Sequence, residues 1–258
     1  MSHKTVPSKH LSTSVLTSEN SVDSQCRWHE FIDERTLQQA AVDIILSSAA
    51  EAIVERGQFL LVLAGGNTPR AVYQQLRSVH TDWTSWQIYF GDERCLPPTD
   101  STRNSCMAAD VWLSRVGIPS NQIYVIPAEL GASQAAKIYT ETLRTVGIFD
   151  LVLLGLGEDG HTASLFPNQD WGILPNSPDT LAVLDAPKPP PQRVTLSAAR
   201  LSRARQVVFL ISGESKRKAV VQWLNGEVIP AVSIKPLMGV EILVESALLQ
   251  SLKVGTKN

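Results

Sequence analysis

The sequence predicts an α/β fold with three layers, a mostly parallel sheet that carries helices on both faces. Aliphatic runs at 58–64, 151–155 and 206–212 have the length and continuous hydrophobicity of strands buried on both sides. Stretches with helical periodicity separate these runs, as the crossover connections of a parallel sheet require. Because no internal repeat or linker interrupts the pattern, we expect a single α/β domain over residues 25–258. Residues 1–24 are rich in Ser and Thr, which predicts a disordered tail.

Capping residues and turn residues predict the elements nearest the tail. Residues 28–32 are predicted to form an edge strand, and Asp33 is suited to be the N-cap of the helix that follows. The strand at 58–64 runs directly into a glycine turn and a second helix. Thr68 is predicted to cap that helix, and Pro69 suits its first position.

The later elements are predicted from the same patterns of length and periodicity. The strands are expected at 86–90, 122–126, 151–155, 181–184, 193–196, 206–212 and 240–244, and the helices at 104–116, at 133–146, after Gly213 and at 246–252. The carboxyl ends of parallel strands meet at one edge of a sheet, so loops that follow the strands are the places to look for ligand groups.

The segment 151–167, LVLLGLGEDGHTASLFP, is the most informative stretch of the chain. An aliphatic strand ends in a glycine-rich turn that carries Asp159 and His161, our candidate catalytic residues. A lone histidine is more often structural than catalytic, but three glycines, an acid and the hydroxyls of Thr162 and Ser164 favour a functional turn. The glycines also fit the bare G-x-G-x-x-G spacing, although the polar HTAS that follows is a poor start for a dinucleotide-binding helix.

A second glycine turn lies between a predicted strand and a predicted helix. Gly65, Gly66, Asn67 and Thr68 place free backbone N–H groups at a helix start, which is the usual arrangement of an anion site. The alternative is an ordinary tight turn. Lys216, shortly after Gly213, either reaches the same ligand or belongs to a solvated basic helix face, and the sequence does not separate these possibilities.

Three ionisable residues follow the strand at 86–90. Arg94 has the planar donors that suit a phosphate or carboxylate, and Asp92 and Glu93 precede it. The alternative is a solvated turn with a local salt bridge, so the individual roles of these three residues stay open. Cys95 is a poor candidate nucleophile, since its neighbours are better explained as binding groups.

Composition excludes several classes of function. The net charge of −2 and the 19% of charged residues do not indicate a protein that binds nucleic acid or an anionic membrane. Any anionic ligand must therefore be held by a local cluster of donors and cations. Three cysteines without metal-ligand spacing argue against a disulfide framework or a zinc site. With no apolar run of membrane-spanning length and no secretory signal, we expect a reduced, cytoplasmic protein.

Three spaced motifs resemble those of the 6-phosphogluconolactonase family: LAGGNTPR at 63–70, GDERCLPPTDSTRN at 91–104 and LGLGEDGHTASLFP at 154–167. RVTLS at 193–197 and FLISGESK at 209–216 extend the resemblance over nearly the whole chain beyond the tail. It implies a fold of the glucosamine-6-phosphate deaminase and ribose-5-phosphate isomerase group, a hydrolase of a phosphosugar lactone in the pentose phosphate pathway, and no cofactor or metal. The site residues it implies are His161 and Asp159 for catalysis, and Gly65, Gly66, Asn67, Thr68, Asp92, Arg94, Arg193 and Lys216 for the substrate and its phosphate.

Two other functions remain as alternatives. Glucosamine-6-phosphate deaminases share the glycine-threonine-proline turn and the DGH triplet, but they follow the histidine with an Asn-Glu-Pro segment, where this chain has Thr162 to Pro167. A non-catalytic sugar-phosphate sensor would need a DNA-binding segment, for which the tail shows no pattern. The chain departs from the lactonase family near the last strand, which reads VEILVES without the usual aromatic residue and aspartate. We expect a monomer or a weak homodimer with no nucleic-acid or membrane partner.

Overall fold

The computed structural model describes residues 15–16 and 26–250. The strands are β1 (Val15–Leu16), β2 (Cys26–Phe31), β3 (Phe59–Leu63), β4 (Trp86–Phe90), β5 (Asp92–Arg94), β6 (Phe149–Gly155), β7 (Thr180–Val183), β8 (Arg193–Leu196), β9 (Ala204–Ile211) and β10 (Val240–Glu245). The α-helices are α1 (Glu34–Arg56), α2 (Asn67–Leu76), α3 (Asn104–Val111), α4 (Ala132–Leu143), α5 (Ala198–Ser202) and α6 (Arg217–Leu224). Apart from β1, the predicted tail lies outside the described residues.

The central sheet confirms the predicted fold class. Its strand order is β1-β2-β10-β9-β6-β3-β4, and all neighbours pair in parallel except β1, which runs antiparallel to β2. Every residue of β3 is buried, as are the first six of β6. Successive side chains of a strand point to opposite faces, so burial of all of them means that both faces of the sheet are covered.

Helix α1 confirms the predicted cap at Asp33. The Asp33 carboxylate accepts from the backbone N–H of Thr36, and Gly57 ends the helix in the left-handed conformation with φ of 74°. By length and composition alone, α1 is apolar enough to cross a membrane. In the structure, however, its apolar residues such as Leu37 and Ile45 are fully buried in the protein core. It is therefore a core helix of the described domain.

A second, smaller sheet was not predicted. Strands β5, β8 and β7 form an antiparallel sheet in that order, in which Asp92 pairs with Thr195 and Arg94 with Arg193. The strands predicted at 181–184 and 193–196 exist, but they belong to this sheet rather than to the central one. Pairing between residues so far apart in the chain leaves no local pattern, which is why the sequence did not reveal it.

Several local predictions are wrong. The strand predicted at 28–32 is not an edge strand, because β2 lies between β1 and β10. Residues 122–126 form no strand, because this segment touches the edge of β4 only at the bridge between Ile88 and Ile123, and Ile126 is apolar because it is buried in the core. The helix predicted at 104–116 ends at Val111. Thr68 does not cap α2, which begins one residue earlier, at Asn67, after Gly66.

Candidate active site

A cavity of about 520 Å³ opens at the carboxyl ends of the central strands. It is lined by every predicted site residue except Asp159, that is by Gly65, Gly66, Asn67, Thr68, Asp92, Arg94, His161, Arg193 and Lys216. The three motif-bearing turns therefore meet at one place, as the order of parallel strands requires. Asp159 lies next to this cavity and contacts His161.

The turn after β6 holds His161 against the backbone. The N–H of Gly157 donates to the carbonyl of His161 at 2.7 Å, and the N–H of Gly160 donates to the carbonyl of Gly157 at 3.0 Å. A Cβ at Gly157 would lie 2.0 Å from Nδ1 of His161, so only glycine leaves room for the imidazole. The hydroxyl of Thr162 ties the far side of the turn to the carbonyl of Gly155 at 2.9 Å.

Asp159 fixes the tautomer of His161. Its Oδ1 is hydrogen-bonded to Nδ1 of the imidazole and also accepts from the backbone N–H of His161 at 3.3 Å. Burial works to raise the pKa of the Asp159 carboxyl, but the neighbouring His161 outweighs it, and the pKa lies below its usual value. An ionised carboxylate can only accept hydrogen bonds, so Nδ1 carries the proton and Nε2 keeps a free lone pair.

Burial also determines the protonation of His161. Loss of solvent lowers the pKa of the imidazole below that of an ordinary histidine, although Asp159 acts in the opposite direction. The ring packs on Phe166 with 4.7 Å between ring centroids. A neutral imidazole with a free Nε2 is the form that accepts a proton at neutral pH.

The start of α2 has the geometry of an anion-binding site. Gly66 precedes the helix with φ of 107°, a conformation that glycine tolerates, and no side chain caps the first N–H groups. Thr68 lies in the first turn, where its hydroxyl shares a 2.7 Å hydrogen bond with the hydroxyl of Ser212 and donates to Glu34 at 3.3 Å. Sequence reasoning missed Ser212 and Glu34, although Ser212 stands at the carboxyl end of the run predicted as a strand at 206–212, which was an available signal.

Lys216 supplies a cation to the same cavity. Burial and the nearby Lys188 lower the pKa of its ammonium group. Lys188 itself donates to Glu158 at 2.9 Å, whereas Lys216 forms no ion pair with any residue in the described ranges. Lys216 lines the cavity, which favours a role in binding the ligand over a place on a solvated basic helix face.

The structure separates the roles of the three ionisable residues after β4. Glu93 is fully buried and accepts from the backbone N–H groups of Asn104 and Ser105, each at 2.8 Å, so it anchors the start of α3. Asp92 faces the cavity, but both of its carboxylate oxygens are bonded, one to Asn104 at 2.9 Å and one to Ser164 at 2.6 Å. Sequence reasoning did not identify Asn104 and Ser164 as its partners.

The two arginines of the small sheet lie at different depths. Arg94 donates from Nη1 to the carbonyl of Thr102, and its buried Nε has no hydrogen-bond partner among the described residues. Arg193 is buried and donates to the carbonyls of Lys188, at 3.1 Å, and Pro190, also at 3.1 Å. Burial lowers the pKa of the Arg193 guanidinium, with Asp92 opposing. Arg94 therefore keeps one donor that no described residue satisfies, and the hydrogen bonds of Arg193 hold the loop before β8.

No group of three or more metal-ligating side chains occurs within residues 26–250 in an arrangement that would hold a metal ion. The polar groups of the cavity are instead an acid-histidine pair on one side and N–H groups and cations on the other. Such a site can bind an anion and activate water beside it.

Comparison with known proteins places the chain in a family. Residues 32–242 match the family of glucosamine-6-phosphate isomerases and 6-phosphogluconolactonases. The 6-phosphogluconolactonase of Mycobacterium tuberculosis is 35% identical over 210 residues, which are 76% of this chain and 85% of that protein. The 6-phosphogluconolactonase of Synechocystis sp. is 35% identical over 198 residues, which are 73% and 81% of the two chains.

Solved structures agree with these sequences. The 6-phosphogluconolactonase of Thermotoga maritima superposes with a TM-score of 0.76 at 27% identity, covering 85% of this chain and 98% of that one. The enzyme of Trypanosoma brucei gives a TM-score of 0.78 at 25% identity, covering 90% and 100%. A monomeric glucosamine-6-phosphate deaminase shares the fold, with a TM-score of 0.73 at 21% identity over 86% and 98% of the chains. This chain belongs to the family of glucosamine-6-phosphate isomerases and 6-phosphogluconolactonases.

Proposed function

We propose that this protein is a 6-phosphogluconolactonase, which hydrolyses 6-phospho-D-glucono-1,5-lactone to 6-phospho-D-gluconate in the second step of the oxidative pentose phosphate pathway. The observation that carries the proposal is the single cavity in which a neutral, Asp159-bound His161 faces an uncapped helix start and the free cation of Lys216. The names of the relatives support the same activity. The enzyme works in the cytoplasm without a cofactor, as a monomer or weak homodimer.

In the proposed reaction, Nε2 of His161 removes a proton from a water molecule as its oxygen attacks the lactone carbonyl. The tetrahedral intermediate then collapses, the bond to the ring oxygen breaks, and the imidazolium returns the proton to that oxygen. The product is an open chain with a hydroxyl and a carboxylic acid, which ionises. A positioned base of this kind contributes roughly 10²- to 10⁴-fold to the rate.

Binding of the phosphate at the other end of the substrate holds the ester beside His161. The N–H groups at Gly66 and Thr68 and the cations of Arg94 and Lys216 are the groups we assign to it. Backbone N–H groups of the turn after β6, or Arg94, stabilise the carbonyl oxygen as it becomes negative. The lactone is an activated ester, so no covalent nucleophile is needed.

The test is the decay of the lactone with and without the protein, measured above the spontaneous background. We expect clear acceleration by the wild-type protein, loss of most of it in His161→Asn, and retained binding of 6-phosphogluconate by that variant. A parallel assay with glucosamine 6-phosphate addresses the deaminase alternative, which the segment from Thr162 to Pro167, lacking a glutamate, disfavours. Binding of sugar phosphates without any acceleration would support a sensor and refute the proposal.

A further inference from the structure

The ring of Phe166 contacts both the catalytic candidate and a cation of the cavity. Its centroid is 4.7 Å from that of the His161 imidazole, with 40° between the ring planes. The guanidinium carbon of Arg193 lies 5.4 Å from the same centroid. Phe166 is fully buried. One apolar side chain therefore contacts both the group assigned to catalysis and a cation that lines the same cavity.

The surroundings of Phe166 hold its ring in place. The indole N–H of Trp171 donates to the backbone carbonyl of Phe166 at 2.6 Å. The ring packs with Val183 and Ala186 in a small hydrophobic cluster separate from the main core. A phenylalanine has only two side-chain torsions, so a ring packed in this way offers its neighbours a rigid surface.

We infer that Phe166 is a positioning residue, which fixes the imidazole of His161 and the guanidinium of Arg193 relative to each other. The inference rests on the proposed function and deepens it. A guanidinium and an imidazole both interact favourably with an aromatic ring, and an aliphatic side chain of similar size gives neither the flat surface nor the ring quadrupole. Small displacements of a catalytic group are costly, since a shift of about 1 Å can reduce the rate by roughly 10²-fold.

A second phenylalanine in the chain offers a matched control. Phe149 is also fully buried, and the guanidinium carbon of Arg200 lies 3.9 Å from its ring centroid. Phe149 stands at the start of β6, at the opposite end of the strand from the catalytic turn. Substitution of either ring by leucine removes a buried aromatic contact with an arginine, but only Phe166 contacts His161.

The experiment compares Phe166→Leu and Phe149→Leu in the full chain by thermal unfolding, steady-state kinetics and pH profiles. We expect both variants to lose thermal stability, whereas only Phe166→Leu loses kcat, by about 10- to 100-fold. Its activity should also begin to fall at a higher pH than in the wild type, because water that reaches the imidazole restores the pKa of an ordinary histidine. A purely structural role would leave the pH profile unchanged.

Two further measurements keep the inference separate from the proposed function. NMR titration of the His161 imidazole in the wild type and in Phe166→Leu needs no activity, and a pKa that does not change on substitution overturns the inference even if the wild type hydrolyses the lactone. If Phe166→Leu does not fold, Phe166→Met, whose longer and unbranched side chain adapts to irregular space, carries the same expectations. Equal kcat values and equal pH profiles for the variants at 166 and 149 also overturn it.

Discussion

The imidazole of His161 lies so close to the backbone of Gly157 that a Cβ at Gly157 would be 2.0 Å from Nδ1 and 2.2 Å from Cε1. The backbone around this contact is held by the hydrogen bond from the N–H of Gly157 to the carbonyl of His161. A methyl group at this position must therefore displace the ring from Asp159.

We expect Gly157→Ala to lower kcat by about 10²-fold or more, because the proposed base loses its orientation. KM should change much less, since the start of α2 is untouched. Steady-state lactonase kinetics measure both constants. Gly147→Ala is the control, because a Cβ at Gly147 meets no atom within 4 Å. A Gly157→Ala variant with wild-type kcat would show that the position of this imidazole is not needed for turnover.

The pH dependence of kcat/KM should match the fraction of His161 whose imidazole is neutral. Burial lowers the pKa of His161 in the folded protein, so the base stays unprotonated, and kcat/KM stays high, at pH values somewhat below the ordinary histidine pKa of about 6.5. Activity is lost as the pH falls through the folded pKa. The same sign holds for stability, because the unfolded chain binds the proton more readily and stability declines as the pH falls from about 6.5.

Substitution of Lys188 tests independently whether the pKa of His161 sets the pH at which kcat/KM falls. Lys188 lowers the pKa of His161, although less than burial does and against the opposing effect of Asp159. Lys188→Ala should therefore move the acid limb of the kcat/KM profile to higher pH, whereas screening by added salt should reduce the difference between variant and wild type. An acid limb that moves to lower pH in Lys188→Ala would contradict the electrostatic account.

Lys216 should act on binding rather than on the chemical step. Loss of a charge-assisted contact to a phosphate costs about 1.5 to 3 kcal/mol, so Lys216→Ala should raise KM by roughly 10- to 100-fold with a small change in kcat. Lys218, exposed on the adjoining helix α6, provides the matched control. If both variants had the same KM as the wild type, Lys216 would belong to a solvated basic face after all.

Tyr73 is expected to stabilise the end of β3. Its buried hydroxyl accepts from the N–H of Ala64 at 3.0 Å and donates to the carbonyl of the same residue at 2.9 Å, one residue before Gly65. Tyr73→Phe leaves both backbone groups without this partner, which should lower the free energy of unfolding by about 1 to 3 kcal/mol. Urea unfolding measures the change. Tyr124→Phe, which loses a partly exposed bond to Gln87, should cost less.

Local sequence determined the parts of the molecule that depend on neighbours in the chain. The aliphatic runs became buried strands because their length and composition suit no other environment, and Asp33 capped α1 because its carboxylate reaches an N–H three residues on. The pairing of Asp159 with His161 is local too, since only Gly160 separates them on one turn. The convergence of the three glycine-bearing turns followed from the parallel order of the strands.

Only the tertiary structure decided which side chains face one another across the cavity. Burial of Glu93 made it an anchor for α3, while Arg94, the next residue, lines the cavity and has a buried Nε without a partner among the described residues. Arg193 reached the cavity because β8 pairs with β5, and Phe166 came to contact both Arg193 and His161. No local sequence pattern specifies these contacts, and their energies depend on burial and distance, which exist only once the chain has folded.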